Sequence, residues 1–211
     1  MNAPGVTVIE HPLLRVKLTR LRDERTSPEE FRARLGELAT LLVFEATRDF
    51  ATKSAAIRTP ICEHEGAVLA RPVVLVPILR AGLGMVGGML PLLAEVSVGH
   101  IGMKRDEHTH RPVPYYCNLP AHIADAEVLV LDPMLATGHS ATDSIAKLKE
   151  AGARHIRFIC CLSCPEGIAQ LRAAHPDVPI FTAAIDGGLN ENAYIVPGLG
   201  DAGDRCFGTL G

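Results

Sequence analysis

The sequence predicts an α/β fold in which helices flank a parallel central sheet. Two observations carry that expectation. From residue 73 onward, short apolar runs alternate with stretches of helical periodicity, and around residues 128–185 two strand-then-helix units follow one another directly.

The first clear element opens at Ser27-Pro28-Glu29-Glu30, which supplies an N-cap, a proline at the first helical position and a glutamate three residues after the cap. Phe31, Leu35, Leu38 and Leu42 then recur at helical spacing through about Phe50, a stripe suited to packing. Residues 73–78 read as a strand, 82–93 as a glycine-rich helix, and 96–103 and 128–131 as two further strands. The spacing predicts a helix over 140–151, with Ala141, Ile145, Leu148 and Ala151 on one face and Gly152 as a left-handed stop. Residues 155–162 return as a strand. Ser163-Cys164-Pro165-Glu166 repeats the cap, proline and glutamate spacing of a helix start, and 179–185 adds another strand. Two segments break this rhythm: 104–122, polar and proline-rich, and 187–211, rich in glycine and asparagine. Long loops of this kind are usually functional or disordered. The apolar Tyr194, Ile195, Val196 and Leu199 make the second a binding cap.

A chain of 211 residues that is 47% hydrophobic can close one sizeable core, so a single domain over residues 1–211 is expected. The net charge of −3, without long runs of like charge, disfavours a nucleic-acid partner. The longest apolar runs fall far short of the roughly 20 residues needed to span a bilayer. No basic start followed by an apolar run opens the chain, so the expectation is a cytoplasmic location with no membrane partner. Six cysteines are present, and most sit in apolar surroundings. Cys161 and Cys164 form a C-x-x-C pair at a strand-to-helix transition, which has a redox reading and a packing reading; the apolar strand pattern around Cys160 and Cys161 favours packing. A zinc site would need a second ligand pair, and none stands out.

The chemistry concentrates in residues 128–140, VLVLDPMLATGHS. Four apolar residues make a buried strand, and in an open α/β sheet ligands lie in the crevice at the carboxyl ends of the strands. Asp132 stands at that end, where its two oxygens can accept from two vicinal sugar hydroxyls. Small residues around Gly138 let backbone N–H groups approach a phosphate, the following helix start adds unpaired donors, and Thr137 and Ser140 add hydroxyls. Taken alone, such a turn is equally an ordinary strand–turn–helix connection with an N-cap.

The string DPMLATGHS resembles the ribose-5-phosphate loop of the type I phosphoribosyltransferases. Its single acid followed by Pro-Met-Leu resembles the uracil phosphoribosyltransferases in particular. Other motifs follow that family's order: 76–85, VPILRAGLGM, is similar to its pyrophosphate loop; 112–120, PVPYYCNLP, to its mobile hairpin; Pro165-Glu166-Gly167 and His175-Pro176-Asp177 come next; and 194–208, YIVPGLGDAGDRCFG, is similar to its uracil-binding hood. The resemblance runs from about Val8 to Gly208. It implies a type I phosphoribosyltransferase fold with a small hood, drawn from about 1–30 and 187–211, and a flexible hairpin at about 104–122.

The implied reaction joins uracil to the ribose of 5-phospho-α-D-ribose 1-diphosphate, giving UMP and diphosphate in pyrimidine salvage. The resemblance places phosphoribosyl diphosphate on Arg80, Ala81, Arg105, Asp132, Pro133, Met134, Leu135, Ala136, Thr137, Gly138, His139, Ser140 and Asp201, with Asp201 and Arg105 as the catalytic pair. It places uracil on Ile195, Gly200, Asp201 and Ala202, whose backbone groups would offer a donor to the 4-oxo group and an acceptor to N3–H. Cytosine reverses both groups and would leave buried partners unpaired. The cofactor implied is Mg²⁺, carried by the diphosphate and assisted by Asp201, since magnesium keeps several waters and needs only one or two carboxylates. A homodimer or higher homo-oligomer and a GTP effector also belong to what the family implies. His139 departs from the pattern, which usually has a second glycine there; if that glycine served a positive φ, phosphate affinity would suffer. Tyr194 has two open readings, pocket wall or core aromatic. His108 and His110 read as a solvated loop, not a metal site, and Lys104 as surface charge. An RNA-binding regulator on the same fold should show a clustered basic face, which the even charge spread argues against. A phosphoribosyltransferase for another base is the nearer alternative, decided by residues 194–202.

Overall fold

The computed structural model describes residues 5–93, 95–105 and 112–209, with the side chains of residues 104, 105 and 112–114 excluded. His108 and His110 lie outside the described residues.

The sheet contains the strands predicted over 73–78, 128–131, 155–162 and 179–185, and adds Val6–Val8 and Pro112–Asn118 at its two ends, which the apolar pattern of the sequence does not predict. Strands β1 (Val6–Val8), β4 (Val73–Leu79), β6 (His100–Arg105), β7 (Pro112–Asn118), β8 (Glu127–Leu131), β10 (His155–Ser163) and β11 (Ile180–Ile185) pair in the order β1-β11-β10-β8-β4-β6-β7. Every pairing along that path is parallel except β6 with β7. Two short strands join from the side: β5 (Val96–Val98) on β4 and β9 (Met134–Leu135) on β10. The alternation of side chains along β8 feeds two cores, as a sheet covered on both faces requires. Val128 and Val130 pack with Ile145, Leu148, Phe158 and Leu171 on one face. Leu129 and Leu131 pack on the other, with Leu35, Leu38, Leu42 and Met85.

Helices α1 (Pro12–Arg22), α2 (Pro28–Ala46) and α3 (Leu83–Met89) cover the second face; α4 (His139–Glu150) and α5 (Pro165–Ala174) cover the first. Ser27 caps α2 as its spacing predicts, with its hydroxyl accepting from the Glu30 N–H at 3.2 Å. Gly152 takes the left-handed φ of 94° after α4.

Four expectations need adjustment. The strand expected over 96–103 divides at Gly99, whose N–H bonds back to the Leu75 carbonyl at 2.9 Å, so β5 and β6 meet different parts of β4. The helix expected over 82–93 is the shorter α3. No element is predicted before Ser27, yet α1 forms there and buries Leu14, Leu18 and Leu21; its cap is the imidazole of His11, which accepts from the Leu13 N–H at 3.1 Å. Finally, β2 (Thr52–Arg58) and β3 (Glu63–Leu69) form an antiparallel hairpin that the sequence reading does not foresee. Both strands are largely exposed, Ile57, Val68 and Leu69 face solvent, and Ile61 at the turn is 90% exposed. A two-stranded hairpin is marginal in water by itself, so this arm suits contact with another surface.

No helix among the described residues is long and apolar enough to cross a membrane.

Candidate active site

β4 and β8 lie side by side, Pro77 level with Leu131, so their carboxyl ends open on one crevice. A hood closes its far side: β12 (Gly188–Leu189) pairs with β13 (Ile195–Val196), and α6 (Ala202–Phe207) follows. The cleft between them has a volume of about 360 Å³, and Asp132, Ala136, Thr137 and Ser140 face Tyr194, Gly200 and Asp201 across it.

Asp132 is the first residue beyond β8. One of its oxygens accepts from the Met134 N–H at 3.3 Å. Solvent reaches it through the open cleft, yet burial of the carboxyl pushes it up to about 7, against the Met134 hydrogen bond and with a further contribution from the neighbouring Asp201 charge. A carboxylate so placed accepts one backbone hydrogen bond, and a ligand bringing hydroxyls or a cation would meet its remaining oxygen lone pairs.

The loop after Asp132 is held from behind. The Pro133 carbonyl accepts from the N–H groups of Cys161 and Leu162 at 3.0 and 3.1 Å, and Leu135 is buried. Neither residue lines the cleft: Pro133 and Leu135 support the loop from behind, while Met134, Ala136, Thr137 and Ser140 line it. Gly138 caps α4 at φ 80°, and a Cβ there would lie 2.8 Å from the Gly167 carbonyl. Gly167 in turn sits so close to the carbonyls of Leu135 and Ala136 that any side chain would collide with them. The Cys164 thiol donates to the Ala136 carbonyl at 3.1 Å. The start of α5 is therefore a backrest for the loop, which explains Pro165-Glu166-Gly167 in physical terms. Glu166 adds a tie to the hood by accepting from the Leu189 N–H at 3.2 Å. His175 serves the same layer, its Nε2 meeting the Thr142 carbonyl at 3.0 Å.

His139 does not disturb this arrangement. It is the first residue of α4, and among the described residues the only non-glycine with positive φ is Ala193. The left-handed turn falls on Gly138, so the missing second glycine is not required by backbone conformation.

Arg80 follows a cis peptide bond at the end of β4. Its guanidinium pairs with Asp204 at 2.9 Å and donates to Thr209 at 3.3 Å; Ala81 beside it lines the cleft. Hydrogen bonds from Thr209 and Arg80 hold the Asp204 carboxyl below the usual range. Asp201 lines the cleft and caps α6, accepting from the Asp204 N–H at 2.9 Å. Ile195 and Ala202 are buried where the hood meets the core, and Gly200 carries a positive φ of 78°. Tyr194 is 45% exposed at the cleft wall, so the core-aromatic reading falls. Arg105 is the last residue of β6, and its side chain lies outside the described residues.

Cys161 and Cys164 are buried free thiols, and burial raises both, the reverse of an activated redox pair. Among the described residues no group of three or more His, Cys, Asp or Glu side chains could hold a metal ion.

A family model described as uracil phosphoribosyltransferase matches residues 8–209. A protein of that name from Clostridium tetani is 55% identical over 205 residues, 97% of this chain and 98% of the relative. Its counterpart in Clostridium kluyveri is 54% identical over the same shares. The solved AQ2163 protein from Aquifex aeolicus is 35% identical with a TM-score of 0.92, covering 96% of this chain and 97% of that one. An adenine phosphoribosyl transferase from Trypanosoma brucei shares the fold alone, at 12% identity and a TM-score of 0.57 over 90% of this chain and 88% of that one. With a strand-end acid, a loop that turns left-handed at Gly138 and a hood converging on one cleft, and relatives matching along nearly its full length, the chain belongs to the uracil phosphoribosyltransferase family.

Proposed function

We propose that the cleft joins uracil to the ribose of 5-phospho-α-D-ribose 1-diphosphate, releasing diphosphate and forming UMP for pyrimidine salvage. The observation that carries this reading is the meeting of Asp132, the 136–140 loop and residues 193–202 around one cavity. The ribose hydroxyls lie on Asp132. The 5′-phosphate takes the N–H groups at the start of α4 with the hydroxyls of Thr137 and Ser140, where the helix dipole favours an anion. The pyrimidine edge is read by the backbone of Ile195, Gly200 and Ala202, with Tyr194 as wall. Arg80, Ala81 and Arg105 hold the diphosphate; Arg80 exchanges Asp204 for the ligand's stronger charge.

In the reaction, uracil N1 attacks C1 of the ribose as its bond to diphosphate breaks, with inversion at that carbon. Positive charge develops on the ribose ring, so the chain contributes positioning and electrostatic stabilisation without a side-chain nucleophile. The hairpin of residues 105–118, whose tip at 106–111 lies outside the described residues, acts as a lid that excludes water. Asp201, a carboxylate on the cleft, fits a Mg²⁺ that arrives on the diphosphate, since magnesium keeps several waters and needs only one or two acids. A Mg²⁺ held there would supply charge neutralisation for the leaving diphosphate.

One domain with its hood carries the whole activity in this reading, and the exposed β2–β3 arm takes a second copy of the chain as its partner.

The test is a competition of equimolar uracil, cytosine, hypoxanthine and adenine for phosphoribosyl diphosphate and Mg²⁺, with nucleotides separated afterwards. UMP should be the dominant product. A purine nucleotide in its place would refute the reading.

A further inference from the structure

The hood strand leads into a segment that cannot satisfy its own backbone. After β13 the chain passes the cis Val196–Pro197 bond and two left-handed glycines, Gly198 at φ 63° and Gly200 at φ 78°. Peptide groups in such a turn must find partners elsewhere, and they find them on α1 and its neighbours. The Gly198 N–H donates to Asp186 at 2.9 Å, and the Gly198 carbonyl accepts from Arg22 at 2.8 Å. Arg22 closes the triangle with two 2.7 Å hydrogen bonds to the Asp186 carboxylate. Burial would raise that carboxyl, but Arg22 and the Gly198 N–H together hold it below the ordinary range.

Arg205, on α6 and only 9% exposed, completes the arrangement. Its guanidinium donates to the Leu199 carbonyl at 2.8 Å and to the carbonyls of Leu21 and Asp23, the latter at 2.6 Å. It also lies 4.6 Å over the Phe31 ring. The end of a helix leaves carbonyls without intrahelical partners, and here two from the end of α1 are collected by the same cation that grips the loop. Desolvating a guanidinium is costly, and an apolar side chain would fill the space more cheaply. What the guanidinium adds is the three carbonyls it gathers.

None of Arg22, Asp186 and Arg205 lines the cleft; they lie behind the segment whose front face does. We propose that Arg205 and the Arg22–Asp186 pair are positioning residues for base recognition, fixing residues 198–202 against α1 so that the groups reading the pyrimidine edge are set before the base arrives. The inference rests on the assignment of that segment to uracil. It predicts a larger effect on uracil than on phosphoribosyl diphosphate, because the segment meets the second substrate through Asp201 alone while the ribose-phosphate loop hangs on β8, β10 and α5.

The experiment is steady-state kinetics of Arg22→Gln, Arg205→Lys and Asp186→Asn in the full chain, with uracil and phosphoribosyl diphosphate varied in turn. The uracil KM of Arg22→Gln and Arg205→Lys should rise roughly tenfold, as expected for a lost charge-assisted hydrogen bond. The KM for phosphoribosyl diphosphate, which meets this segment through Asp201 alone, should rise by no more than about threefold, a split that general loosening of the fold would not give. Asp186→Asn keeps an acceptor for Gly198 and should show a smaller rise with the same split. Should Arg205→Lys fail to fold, the partly exposed Arg22→Gln decides. An unchanged uracil KM in Arg22→Gln, or equal rises in both KM values, would overturn the inference while leaving the activity in place. Absence of UMP formation by the unaltered chain would remove the functional reading and the inference together.

Discussion

Replacing Asp132 by asparagine is expected to lower kcat/KM for phosphoribosyl diphosphate by roughly 100-fold, about 3 kcal/mol, through one lost and one weakened charge-assisted hydrogen bond to the ribose hydroxyls. The same substitution should stabilise the free protein at high pH. Burial pushes the Asp132 carboxyl up to about 7, so the folded chain favours its protonated form. The sign follows directly. Below the ordinary carboxylate pKa of about 4, both folded and unfolded states hold the proton and no penalty exists. Between about 4 and about 7 the unfolded chain ionises first, folded stability falls, and above 7 the full penalty remains. The neutral amide of Asp132→Asn carries no such penalty, so the variant should melt above the parent at alkaline pH and together with it in acid. Thermal unfolding across pH reads this. Ligand affinity should run the other way in the parent, strengthening as Asp132 loses its proton through about 7, and should be much flatter in the variant. Equal pH dependence of the two proteins would separate Asp132 from the ribose.

Gly167→Ala should be comparably damaging to turnover, although Gly167 touches no substrate in this account. A Cβ at Gly167 meets the Leu135 and Ala136 carbonyls, backbone atoms that cannot rotate away. The loop must shift toward the cleft, carrying the start of α4 with it. A displacement of about 1 Å in a positioning element can cost on the order of 100-fold in rate, and the loss should appear mainly in kcat/KM for phosphoribosyl diphosphate. The sheet should survive, since the contacts of β8 and β10 lie below the loop, and circular dichroism can verify that. A variant with parental kinetics would show that the backrest is not needed.

The parts of this molecule that were legible in sequence are those where local pattern and final environment agree. The capping box at Ser27 and the leucine stripe behind it produce α2 where predicted, though it stops at Ala46, short of Phe50, and the apolar run 128–131 ending on an acid marks a buried strand with a polar end. The β2–β3 hairpin escaped because neither of its faces is buried, so no alternation of apolar and polar residues is imposed on it. Leu14, Leu18 and Leu21 do keep helical spacing, but α1 begins behind a histidine cap, outside the usual Ser, Thr, Asp and Asn signals. Within the site, a contiguous motif does not separate residues that face the ligand from those that hold the loop: Pro133 and Leu135 stand among residues that line the cleft but turn to the core. Arg205 was hardest to foresee, for its acceptors are backbone carbonyls, two of them more than 180 residues away in the chain.

A structure of the chain with UMP and diphosphate tests the central claim most directly. The account predicts the ribose hydroxyls within hydrogen-bond distance of Asp132, the 5′-phosphate against the N–H groups and hydroxyls of residues 137–140, and the uracil edge on the backbone of residues 195–202. UMP bound with its phosphate away from the start of α4, or with its base outside the hood, would contradict it.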